Sequence, residues 1–284
     1  MRRRLAVGLL LSVSVATFAG RRAAAKDLKF GFTPVLGQTD ERAEFEPLIA
    51  YLSDAIGQKV SLYVAENYGE LRTRMEAGDV DIGSFSPFAY VDAVRGGKIR
   101  IIAQSVIDGS ATYRGIIVAR KDAGLKSIAD LKGKRFAFVD PKSASGYVYP
   151  RAMLVEQGID PDTFFKETLF AGDHKKVIAA VLERRVDAGA TYDNALGIAK
   201  LSGMPADDLT IVATTDPIPH DAIAVRIGLD EGLAKTIQTA LVNLDKTEAG
   251  RRVIANGHKK LSGHAIAEDR TFDVVRRTAK IAGM

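Results

Sequence analysis

Residues Phe136 to Pro150 read FAFVDPKSASGYVYP, an apolar run that passes through a short polar turn into a stretch of helical composition. Pro150 constrains that passage most. It has no N–H to give to a helix, and its ring clashes with the carbonyl four residues back, so it belongs in a helix's first turn. The spacing therefore predicts a helix that begins just before Pro150, with Ser143, Ala144, Ser145 and Gly146 at its mouth. Backbone N–H groups there have no intrahelical partner, and the positive end of the helix dipole faces outward. Two hydroxyls and several N–H groups converging on one point suit an oxyanion. An ordinary serine N-cap on a core helix uses the same residues, and the stretch alone does not separate the two.

The first residues narrow the setting. Met1-Arg-Arg-Arg precedes an apolar run over 5–19 and the small-residue site Ala23-Ala24-Ala25, the pattern of a secretory signal peptide over residues 1–25. Its loss removes five arginines and no acid, which takes the formal charge from +5 to zero. The basic balance thus belongs to the peptide, and net charge gives no case for nucleic-acid binding. With no cysteine in the chain, disulfides, thiolate metal sites and a lipid-anchored cysteine are excluded. No second apolar run is long enough to span a bilayer, so a protein that is not membrane-embedded, in a bacterial periplasm, is expected.

Beyond residue 25, short β-branched runs alternate with amphipathic stretches. Strands are predicted over 28–32, 60–64, 80–84, 99–104, 115–119, 136–139, 168–170, 186–190, 210–213 and 222–225. Helices are predicted over 44–56, 175–185, 246–254 and 272–281, the first carrying Phe45, Leu48, Ile49, Leu52 and Ile56 on one face. Such alternation implies an α/β fold with largely parallel sheets covered by helices, in which ligands sit beyond the carboxyl ends of strands.

Several strand-to-helix junctions carry polar residues suited to a small anion. After the strand at 60–64 comes Tyr68, whose phenol can meet a ligand or simply cap the core. Phe85-Ser86-Pro87 follows the strand at 80–84, where Ser86 reads as an N-cap and capping alone explains it. Asp173 is an N-cap and puts His174 in a first helical turn as a hydrogen-bond donor, although a solvated loop histidine is the commoner case. Tyr192 opens a further junction.

These junctions are also where the chain resembles a known family, the phosphonate- and phosphite-binding periplasmic proteins of ABC importers (the PhnD family). The likeness runs through GDVDIGSFSPFAYVDA from Gly78, DLKGKRFAFVDPKSASGYVYPRAML from Asp130, FAGDHKKVIAAV from Phe170, VDAGATYDN from Val186 and IPHDAIAV from Ile218. The resemblance implies a type II periplasmic binding fold, two lobes with mixed sheets joined by two crossover strands. Lobe one would take 27–117 and 223–284, lobe two 118–222, with crossovers near 115–119 and 222–225. The helices at 246–254 and 272–281 would pack on lobe one. It further implies that Tyr68, Phe85, Ser86, Ser143, Ala144, Ser145, Gly146, His174, Tyr192 and Asp221 bind the ligand, with no cofactor, no metal and no catalytic residue. Partners would be a small phosphorus oxyanion and an ABC permease with its ATPase, and the protein a monomer.

Two departures bear on specificity. Ala144 stands where the family has threonine, which removes a hydroxyl. Phe85 stands where aminoethylphosphonate binders carry tyrosine, and the acid they aim at the ligand ammonium aligns with Asp193 or Asn194, not with a glutamate. Phe85 would then form an apolar wall suited to phosphite or methylphosphonate. A carboxylate at Asp221 repels an oxyanion by about 4 kcal/mol at 4 Å in an effective dielectric near 20, unless a proton is shared, so a ligand bearing P–OH is favoured over sulfate. A turn-capping role for Asp221 is the bland alternative. Rival classes are a subunit that feeds a periplasmic sensor, an enzyme or other-oxyanion binder on the same fold, and a metal site built from His174, His220, Asp193 and Asp221. The chain has no G-x-S-x-G, H-E-x-x-H or P-loop motif, and the four possible ligands lack metal-site spacing.

Overall fold

The structure, a computed structural model, describes residues 26–35, 38–256 and 261–284, so the expected signal peptide over 1–25 lies outside the described residues. Among the described residues eleven strands form, β1 (Leu28–Phe32), β2 (Val60–Val64), β3 (Ile82–Phe85), β4 (Ile99–Ile107), β5 (Thr112–Arg120), β6 (Arg135–Phe138), β7 (Glu167–Phe170), β8 (Ala188–Tyr192), β9 (Leu209–Pro219), β10 (Ala222–Arg226) and β11 (Leu261–Ile266). The helices are α1 (Gln38–Ile56), α2 (Glu70–Glu76), α3 (Pro87–Val94), α4 (Tyr149–Glu156), α5 (Pro161–Phe164), α6 (His174–Leu182), α7 (Ala195–Leu201), α8 (Glu231–Val242), α9 (Glu248–Asn256) and α10 (Asp273–Ile281).

The strands make two sheets, one ordered β11-β4-β10-β3-β1-β2 and the other β7-β6-β8-β5-β9. Both are mixed, not largely parallel. β1 runs parallel to β2 and β3, and β6 parallel to β7 and β8, each through a helical crossover. β10 lies antiparallel between β3 and β4, and β5 antiparallel between β8 and β9. Those strands are the ones at which the chain changes sheet, and they enter from the opposite side.

The passages between sheets fall in loops. β5 pairs with the second sheet from Thr112 to Arg120, so residues 112–117, expected in lobe one, lie in the second sheet, and the chain crosses at 108–111. The return crossing is His220 and Asp221, between β9 and β10.

β9 runs on to Pro219 through two prolines because it is the edge strand of its sheet, where a missing N–H costs no ladder bond. β11 was not predicted. Gly263, at φ 143°, breaks its alternation where the register against β4 shifts.

α10 does not pack on the first lobe alone. It lies against α3 and also against α4 of the second, and Phe272 at its start meets Tyr90 at 4.9 Å between ring centres.

Candidate functional site

The turn after β6 opens wider than an α-helix. Ala144–Val148 forms a single π-turn, in which the Val148 N–H reaches the Ser143 carbonyl at 3.1 Å, and α4 with Pro150 in its first turn continues from it. Ser143 is the cap, accepting the Gly146 N–H on Oγ at 3.1 Å. That N–H is therefore taken, while those of Ala144 and Ser145 lack an intrahelical partner. Gly146 admits no side chain, since a Cβ would stand 2.4 Å from a Val139 methyl and 2.8 Å from Ser143 Oγ.

Tyr68 comes from the loop before α2. Asn67 Oδ1 accepts the N–H groups of Gly69 and Glu70 at 3.0 and 3.1 Å, and this local turn carries the Tyr68 ring inward. Its hydroxyl is buried and makes no hydrogen bond among the described residues. Burial pushes the phenol well above its ordinary value of 10, against a weaker downward pull from the nearby Ser143 hydroxyl, which makes no well-formed hydrogen bond to it, so it stays a donor.

Ser86 occupies the N-cap position of α3 but does not cap it. Its hydroxyl is also buried and unpartnered among the described residues.

His174 is the first residue of α6, behind Asp173, which caps the helix by accepting the Lys176 N–H at 2.7 Å. Its Nδ1 lies 3.0 Å from Thr191 Oγ1, and the ring meets Tyr192 edge-on at 4.8 Å. The backbone N–H of His174 donates to the carbonyl of Val35 across the lobes at 2.9 Å.

These groups surround one cavity of about 90 Å³ between the sheets. Tyr68, Ser86, Ser143, Ser145, His174, Tyr192 and Asp221 all line it. Asp221 sits in the return crossing, and its carbonyl accepts the Ser105 N–H at 3.0 Å. Asp193 spends its carboxylate on backbone, accepting the N–H groups of Arg114 and Asn194 at 3.0 and 2.9 Å.

Three predicted residues stand outside the cavity wall. Ala144 and Gly146 lie behind the two serines. Phe85 faces the opposite side of β3, where its ring and the Met75 sulfur crowd over Gly83, so it is no wall of this cavity. Strand alternation sends Ser84 and Ser86 one way and Phe85 the other.

Sequence reasoning missed the apolar wall that is present, Val35, Ile107 and Ile198, and also Tyr113, whose ring stacks on His220 at 5.0 Å. Tyr113 carries no local motif; its position at the start of β5, next to the crossing, is what brings it in. Among the described residues no group of three or more His, Cys, Asp or Glu is placed to hold a metal ion.

A second bridge joins the lobes beside the cavity. Lys142, in the π-turn loop, meets Asp92 of α3 at 2.7 Å, with Arg72 of α2 at 3.3 Å from the same oxygen. Burial raises the Asp92 carboxyl, but the two cations outweigh it and hold the group below its ordinary value.

The model of a family described as the periplasmic substrate-binding proteins of phosphonate ABC transporters matches residues 30–272. The chain belongs to this family. It is 35% identical over 170 residues to the phosphate-import protein PhnD of Mycolicibacterium smegmatis, a match over 56% of this chain and 53% of that one. It is 27% identical over 235 residues to the phosphonates-binding periplasmic protein of Escherichia coli, covering 81% of this chain and 69% of that one. The fold is that of a binding component of a phosphonate ABC transporter from Pseudomonas aeruginosa, at a TM-score of 0.83 and 23% identity over 90% of this chain and 86% of the other. PhnD1 of Prochlorococcus marinus, solved with methylphosphonate, superposes with a TM-score of 0.79 at 24% identity over 90% and 97%. Both are type II periplasmic binding proteins, the two-lobed α/β architecture expected of the sequence.

Proposed function

We infer that the protein captures a small phosphorus oxyanion, phosphite, methylphosphonate or a related phosphonate, between two lobes in the periplasm and hands it to a membrane permease. The observation that carries this reading is the pair of buried hydroxyls, Tyr68 Oη and Ser86 Oγ, that have no partner among the described residues and belong to the wall of one cavity. Buried polar groups are almost always satisfied, and an unsatisfied one costs about 1 to 3 kcal/mol. An oxyanion would relieve both. The N–H groups of Ala144 and Ser145, the Ser145 hydroxyl and the His174 ring would supply further donors, and Asp221 would accept from a ligand P–OH.

The P–H or P–CH3 group then meets Val35, Ile107 and Ile198 in place of the expected Phe85. Because Phe85 faces elsewhere, it gives no ground for excluding aminoalkyl phosphonates.

Lobe one would comprise the first sheet and its helices, lobe two the second. Closure over ligand would present the surface that the permease reads, with the protein acting as a monomer. Export through a signal peptide over 1–25 would bring it to the periplasm, and no helix among the described residues is long and apolar enough to cross a membrane.

Phosphate is the rival ligand, since the M. smegmatis relative is a phosphate-import protein. Calorimetric titration with phosphite, methylphosphonate, phosphate and sulfate tests the reading, with Ser145→Ala as the site variant. Phosphite or methylphosphonate should bind tightest, and Ser145→Ala should weaken it at least tenfold. Tightest binding of phosphate or sulfate, or an unchanged affinity in the variant, would overturn it.

A further inference from the structure

A second cavity, of about 80 Å³, lies behind the first on the side of the first sheet. The two share Ile107 and Asp221 as lining residues. Asp221 also lines a third, small void that reaches Tyr68 and Ser86. Asp221 therefore borders all three spaces.

The lining of the second chamber is mostly hydrocarbon, from Phe45 and Leu48 of α1, Ile223 of β10, Val253 of α9 and Leu261 of β11. Its polar lining residues are Glu44, Ser84, Ser105, Asp221 and His264. His264 is 7% exposed, and its Nδ1 has no hydrogen-bond partner among the described residues. Burial holds the ring neutral by pushing it down to about 4, against the opposing pull of a hydrogen bond to the Leu241 backbone.

A phosphorus oxyanion without a substituent would leave this chamber unused. A water molecule needs roughly 10 to 15 Å³ of such space, so the chamber takes on the order of five non-hydrogen atoms. Mostly hydrocarbon walls with a buried, unpartnered ring nitrogen call for a chain that ends in a hydrogen-bonding group. A hydroxyl can donate or accept and so serves whichever ring nitrogen carries the proton, which an ammonium, a donor only, does not.

We propose that the second chamber is a subsite for the organic substituent of a phosphonate, a straight chain of three or four carbons ending in a hydroxyl that hydrogen-bonds with His264. The proposal rests on the reading of the first cavity as the oxyanion site. The chain would leave the phosphorus beside Ile107, pass Asp221 and run between α1 and α9, with its hydroxyl at His264.

The test is calorimetry on the mature protein with methylphosphonate, butylphosphonate and 4-hydroxybutylphosphonate. The wild type should bind 4-hydroxybutylphosphonate at least tenfold more tightly than methylphosphonate. Val253→Phe, which fills the chamber from α9, should erase that gain and leave methylphosphonate within twofold of the wild type. His264→Phe, which keeps a ring and removes its nitrogens, should make butylphosphonate and 4-hydroxybutylphosphonate bind alike. Unchanged affinity for methylphosphonate shows in each variant that the fold and the oxyanion site are intact. If methylphosphonate binds and chain extension brings no gain, or if Val253→Phe leaves the gain in place, the subsite is refuted and the oxyanion site stands. If no phosphonate binds the wild type, the oxyanion reading fails and this inference falls with it.

Discussion

Replacing Tyr68 by phenylalanine should move stability and binding in opposite directions. The Tyr68 hydroxyl is buried without a hydrogen-bond partner among the described residues, on a ring 3% exposed. Leaving such a group unsatisfied costs about 1 to 3 kcal/mol, and phenylalanine keeps the ring while removing the group that carries the cost. At the low end this is a gain of about 1 kcal/mol, which for a chain of this size raises the melting temperature by roughly 2 to 4 °C.

With ligand the sign reverses. A hydrogen bond to a charged group contributes about 1.5 to 3 kcal/mol, so losing the phenol should weaken methylphosphonate binding by about tenfold to a hundredfold. Ligand at a hundred times the wild-type dissociation constant stabilises the wild type by about 2.7 kcal/mol, whereas a variant weakened about thirtyfold gains under about 1 kcal/mol at that concentration. Differential scanning calorimetry with and without methylphosphonate, backed by isothermal titration, reads both arms. A Tyr68→Phe variant that melts lower than the wild type when empty, yet binds methylphosphonate as tightly, would show that the hydroxyl supports the fold and not the ligand.

Three further outcomes are expected. His174→Ala should weaken methylphosphonate binding about tenfold while His264→Ala leaves it within twofold, both by titration calorimetry; equal effects would remove His174 from the oxyanion site. Asp221→Asn should narrow the preference for methylphosphonate over sulfate in competition binding, because the repulsion of about 4 kcal/mol at 4 Å in an effective dielectric near 20 is lost and an amide can donate to a fully deprotonated oxygen. Burial pushes the His220 and His264 rings down to about 4, against the ordinary 6.5, so the unfolded chain binds more protons between those values. Stability is then fully present above about pH 6.5 and falls as pH drops toward 4, by on the order of 3 kcal/mol for each ring, seen as a falling melting temperature. A melting temperature that is flat across that range would contradict the burial of both rings.

Ten of the eleven strands were legible because each is a short β-branched or aromatic run between polar turns, and β11 was not because Gly263 interrupts its pattern. The sheets' mixed character was not legible. It depends on β10 slotting between β3 and β4 from far along the chain, which no local pattern encodes. The serine turn was readable through Pro150, yet its π geometry was not, and that geometry decides that the Gly146 N–H is occupied by Ser143. Phe85 shows a further limit. Helices cover both faces of the sheet, so both faces are apolar and the phase of strand alternation gives no hint of which side holds the cleft. Ser86 looked like a cap from its position before Pro87, and only the coordinates reveal that its hydroxyl caps nothing.

The position of Asp221 would tie binding to closure. The chain crosses between sheets twice, and the crossings are held to one another: the Ala111 carbonyl accepts both the His220 N–H at 2.9 Å and Gln104 Nε2 at 2.7 Å. Asp221 is the next residue, fixed to β4 through the Ser105 N–H. A carboxylate carried on the hinge keeps one relation to the first sheet while the second sheet swings, so a ligand gripped by Asp221 in the open form would meet the serine turn and His174 only on closing. The closed arrangement is then completed at the far side of the cleft, where Lys142 meets Asp92 and the His174 N–H meets the Val35 carbonyl. Those contacts are a half-buried ion pair and a single backbone bond, each worth about 0.5 to 1.5 kcal/mol. Both would add to the grip once an anion has satisfied Tyr68 and Ser86.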